Sequence, residues 1–84
     1  MGSIRFEGIR FFSYPKDHEP RHAHGRYAET RVIFDLLPDG NVRISNRVKA
    51  VIPGNPSRAD IRHILAVAAE HFNELVALWE KRNG

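Results

Sequence analysis

The sequence predicts an α+β domain: a small antiparallel sheet of two β-hairpins packed against one long C-terminal amphipathic helix. Three observations predict it. Apolar and polar residues alternate over 3–14 and again over 26–52, as half-buried strands require. Turn clusters interrupt that alternation at Glu7-Gly8 and at Leu37-Pro38-Asp39-Gly40-Asn41. Beyond Pro53-Gly54-Asn55-Pro56 the apolar spacing changes to three and four residues, the period of a helix. The 84 residues form one domain, 1–84. A chain this short is marginal alone, so a homo-oligomer or a permanent partner would supply stability.

In the first hairpin, 3–14, Ile4-Arg5-Phe6 and Ile9 to Tyr14 are rich in β-branched and aromatic residues. A two-residue Glu7-Gly8 loop sets Arg5 opposite Arg10. Like charges there are unfavourable unless water screens them or an anion lies between them. Tyr14-Pro15 ends the strand because proline cannot donate to a ladder. A His-rich loop, 15–25, follows. The second hairpin, 26–52, places Ala28, Thr30, Val32, Phe34 and Leu36 on one face, with Tyr27, Glu29, Arg31, Ile33 and Asp35 on the other. Pairing Leu36 with Val42 also sets Asp35 against Arg43, Glu29 against Lys49 and Arg31 against Arg47.

The helix, 57–82, opens at Ser57, a good N-cap, with Asp60 three residues on. Ile61, Ile64, Leu65, Ala68, Phe72, Leu75, Val76 and Trp79 form one apolar stripe, with Val67 and Leu78 at its edges. An exposed edge would serve a dimer or another partner. His63 and His71 flank the stripe as boundary residues, too far apart to share an ion on a straight helix.

Composition excludes several classes. With no cysteine, neither disulfides nor thiolate metal sites are available. No apolar run approaches a membrane span and no leader pattern is present, so a cytoplasmic, non-membrane protein is expected. The net charge is +3. Residues 1–56 hold nine Lys/Arg against six Asp/Glu, whereas 57–84 hold four of each. The excess therefore lies in the strand-rich part, where it would attract RNA or an acidic protein.

The densest chemistry lies in Asp17-His18-Glu19-Pro20-Arg21-His22-Ala23-His24-Gly25. His22 and His24 share a side if the backbone is extended. With His18, Asp17 or Glu19 they could hold a divalent metal ion. Without metal, His22, His24 and His18 are candidates for acid and base. Arg10, Arg21, Arg26 and Asp17 would then hold substrate, the arginines neutralising a phosphate. A third reading is structural, with the histidines packed at strand ends against Tyr14, Tyr27 or Trp79. If an enzyme, the chain would be a ribonuclease or another phosphodiester hydrolase that needs no cofactor. A non-enzymatic binding module would instead depend on Arg31, Arg43 and Arg47.

The order Arg10-Phe11-Phe12-Ser13-Tyr14, then Asp17 to His24, then Glu70-His71, Leu75 and Trp79-Glu80 resembles the small bacterial domain-of-unknown-function family 4160. Its hallmark is an acidic-His-x-Pro-Pro-His-x-His stretch. The resemblance implies the toxin of a toxin–antitoxin module, neutralised by a small cognate antitoxin. It also implies a site at Asp17, His18, Pro20, His22 and His24, near Arg10 and Trp79. Arg21 stands where the family usually has its second proline, which adds positive charge beside the site.

Overall fold

The computed structural model describes residues 3–13, 21–46, 50–52 and 57–83. Its elements are β1 (Ser3–Phe6), β2 (Ile9–Phe12), β3 (His22–Tyr27), β4 (Thr30–Leu36), β5 (Val42–Ile44), β6 (Val51–Ile52), α1 (Arg58–Glu70) and α2 (Phe72–Asn83). The strands form one antiparallel meander in the order β1-β2-β3-β4-β5, with β6 also paired to β4. The α+β class stands, with one sheet that continues through both expected hairpins.

The first hairpin has the expected register, Arg5 opposite Arg10 and Phe6 opposite Ile9. Glu7 and Gly8 take φ of 48° and 80°. Two successive positive φ values suit the right-handed twist of the flanking strands, although only Gly8 adopts them without strain.

Two expectations in the middle of the chain are corrected. The expected His-rich loop, 15–25, does not include His22 to Gly25, which belong to β3, and its residues 15–20 lie outside the described residues. The expected strand from Arg26 to Leu36 is two strands, turned at Ala28-Glu29, with Ala28 at φ 54°. That dipeptide carries none of the residues by which such a turn is read. The turn moves Tyr27 to the helix side, where its ring lies 4.9 Å from that of His63.

Beyond the 37–41 loop, Leu36 pairs with Val42 and Asp35 with Arg43, as expected. The loop closes through Leu37 N–H to the Asn41 carbonyl (2.9 Å) and Gly40 N–H to the Leu37 carbonyl (3.1 Å). The expected strand 42–52 is then interrupted. Ile33 accepts from Ser45 N–H (2.9 Å) and donates to the Ala50 carbonyl (2.7 Å), so one residue of β4 bonds to both and the pairing register shifts there. Arg31 consequently pairs with Ile52 and not with Arg47, and Glu29 sits in a turn, not against Lys49. Arg47 and Lys49 themselves lie outside the described residues.

The single long helix is likewise two helices. Ser57 caps α1 as expected, its Oγ accepting from Asp60 N–H at 3.3 Å. At His71 the backbone departs to φ −110°, ψ 32°, although His71 N–H still reaches the Val67 carbonyl and Leu75 N–H the His71 carbonyl. The His71 ring stacks flat on Phe6 at 3.7 Å and its Nδ1 meets Glu74 at 2.8 Å. These contacts account for a break that an unbroken stripe cannot encode.

The helices cover the face carrying Ile9, Phe11, Ala23, Val32, Phe34 and Leu36, and bury Ile64, Val67, Ala68, Leu75 and Trp79 against it. Val67 and Leu78, expected at an exposed edge, are buried within the one chain. Gly25 permits the close approach of α1: a Cβ there would stand 2.7 Å from Ile64 Cγ2 and 3.3 Å from the Phe11 ring. Its role is therefore packing.

Candidate functional site

Strand alternation puts Ala23, Gly25 and Tyr27 towards the helices, and His22, His24 and Arg26 on the opposite face. The registers extend that second face into rows. Arg5 pairs with Arg10, Arg10 with Arg26, and Arg26 with Arg31. Four arginines thus stand side by side across β1 to β4, spanning about 14 Å at the usual strand spacing. Arg5, Arg26 and Arg31 are exposed and Arg10 half-buried. None of the four forms an ion pair among the described residues. Arg5, Arg10 and Arg26, with Gly8 and Ala28 of the two adjacent turns, line an open depression of about 210 Å³.

The neighbouring row is aromatic. Phe12 pairs with His24, and their rings stack at 5.1 Å and 11°. The Arg10 guanidinium lies 5.6 Å from the Phe12 ring centre, which joins the two rows.

The third row is closed. His22 lies opposite Asp35, and Asp35 opposite Arg43. His22 is 3% and Asp35 5% exposed. The His22 ring meets Trp79 at 5.1 Å and His24 at 5.6 Å. One Asp35 oxygen lies 3.7 Å from Arg43 Nη2, while the other, Oδ1, is buried without a hydrogen-bond partner among the described residues.

The expected site residues therefore divide. Arg10 and Arg26 stand at the open end of one face, His24 is half-buried beside them with its Nε2 buried, and His22 lies at the buried end. Arg21 does not join them: its guanidinium lies over Phe72 at 5.9 Å, and its Cα is about 16 Å along the strand from that of Arg26. Asp17 and His18 lie outside the described residues. No third described ligand gathers with His22 and His24 to hold a metal; the described His and carboxylate groups that do gather are Glu7, Glu70 and His71. Sequence reasoning missed the placement of Asp35 opposite His22 and the alignment of Arg26 and Arg31 with the Arg5–Arg10 pair. Both follow from the Ala28-Glu29 turn.

Fold and site define a small α+β protein with a cationic, partly aromatic sheet face. The chain belongs to the family described as Domain of unknown function (DUF4160), whose model matches residues 8–80. No curated protein and no solved structure matches it. No helix among the described residues is long and apolar enough to cross a membrane.

Proposed function

We propose that the protein binds a single-stranded RNA segment across its open sheet face. The observation that carries this reading is the row Arg5, Arg10, Arg26 and Arg31, set side by side by strand register and unpaired with acids among the described residues. Adjacent like charges on a sheet are destabilising. Bound phosphates would relieve that repulsion and release counterions. The Phe12–His24 stack sets aromatic rings beside the cations, and ring and charge together are what single-strand recognition uses. The depression between Arg5, Arg10 and Arg26 is large enough for a phosphate and its water.

The reading favours binding over cleavage. An acid–base pair must reach the scissile phosphate, and His22 is buried, its ring 5.1 Å from that of Trp79. As the toxin-like member of a two-gene module, the protein would act by occupying RNA, and a cognate antitoxin with an acidic surface would compete for the arginines.

Fluorescence anisotropy with a labelled single-stranded RNA tests the reading. The Arg10→Gln/Arg26→Gln variant should bind at least tenfold more weakly, with a salt slope shallower by about two phosphate contacts. Phe12→Ala should weaken binding while leaving that slope intact. Unchanged affinity in the folded double variant would refute the proposal. Equal affinity for duplex RNA would reduce it to general polyanion binding.

A further inference from the structure

The Glu7-Gly8 turn meets the break between α1 and α2 at a second cluster. A carboxylate oxygen of Glu7, one of Glu70 and a ring nitrogen of His71 all lie within 4.8 Å of one another. We infer that these three side chains bind one divalent transition-metal ion of the zinc type, which clamps the first hairpin to the helix junction.

The donor set is one imidazole and two carboxylates, which suits such ions and leaves positions for water. The orientation of His71 is the more specific argument. Its Nδ1 meets Glu74 Oε2 at 2.8 Å, while Nε2 lies 3.5 Å from Glu70 Oε1. A metal-binding imidazole commonly gives its other N–H to a carboxylate, which fixes the tautomer and aims the free lone pair at the ion. Glu74 stands in that relation to His71 through this hydrogen bond. Stacking on Phe6 fixes the plane of the ring through its face and leaves both nitrogens clear at its edge.

Glu7 is held independently. Its carbonyl lies 3.3 Å from His63 Nε2, and its φ of 48° places it in the left-handed region. The turn thus brings one carboxylate to another, and the two repel unless a positive charge intervenes. A proton on His71 could supply that charge in place of a metal, so the experiment must separate the two.

Metal-free, untagged protein is titrated with zinc chloride by calorimetry, and the imidazole resonances are followed by NMR. The expected result is one ion per chain, with His71 shifting first. Glu70→Gln and His71→Ala should each lose at least tenfold in affinity, and Glu74→Gln about 10–100-fold. The His22→Ala/His24→Ala variant should bind as the wild type does. Absence of saturable binding would overturn the inference and leave the proton as the counter-charge. So would binding that survives Glu70→Gln but is lost from the His22/His24 variant. Circular dichroism checks each fold. Glu70 is 67% exposed, so its conservative variant still decides between metal and proton if His71→Ala unfolds. RNA affinity plays no part in these readouts.

Discussion

Strand β3 joins two unlike regions of one sheet face. At its start His22 lies under Trp79 beside the buried Asp35; at its end Arg26 stands in the open among Arg5, Arg10 and Arg31. His24, half-buried on Phe12, lies between them. In the sequence the histidines are the candidate acid and base, and Arg10, Arg21 and Arg26 the candidate holders of a phosphate. The structure buries His22 and aligns Arg10 and Arg26 in the open with Arg5 and Arg31. The closed end buries its polar groups, whereas the open end keeps like charges side by side and exposed.

The largest expected effect breaks the closed end. Trp79→Ala should cost about 3–5 kcal/mol, the range for removing a large buried aromatic. It should also expose His22. Urea unfolding followed by far-ultraviolet circular dichroism measures this, since Trp79 is the sole tryptophan. A loss below about 1 kcal/mol would mean that the ring is not part of the core.

Gly25→Ala should cost about 1–3 kcal/mol by overpacking, because the new methyl group meets Ile64 Cγ2. In an Ile64→Ala background the cost should fall, a non-additivity that thermal denaturation of the four variants would reveal. Purely additive losses would place the strain elsewhere.

At the open end the sign reverses. Arg10→Gln should stabilise the fold by about 0.2–1 kcal/mol at low salt, with the gain shrinking as salt is added. The same variant should bind RNA more weakly, so stability and binding would move in opposite directions. Destabilisation at every salt concentration would show that the row is not under repulsion.

The smallest effect concerns pH at the helix junction. Glu74 has a carboxyl lowered from its ordinary 4.5, chiefly by the side-chain hydrogen bond with His71. A depressed folded value means a contribution present above the unfolded value and lost as pH falls through the folded one. Glu74→Gln should therefore differ from the wild type above about pH 5 and converge with it in more acidic solution, as followed by urea midpoints. A difference that persists unchanged in acid would assign the effect to packing.

By itself the sequence determined the local elements whose signals lie within a few residues. The Glu7-Gly8 hairpin with Arg5 facing Arg10, the 37–41 loop with Asp35 facing Arg43, and the Ser57 cap all follow from near-neighbour chemistry. The α+β class follows from the two periods. Tertiary structure alone decided the turn at Ala28-Glu29, the register shift by which Ile33 bonds to both Ser45 and Ala50, and the helix break at His71. At the Ala28-Glu29 turn and at His71 the apolar pattern passes through unchanged, and at His71 the ring stacks on the distant Phe6. The candidate sites inherit that division. The arginines and histidines were visible as residues, but a row of four cations and a buried His22–Asp35 pair exist only once β2, β3 and β4 lie side by side. Register between strands depends on turns and long-range packing, which composition does not carry.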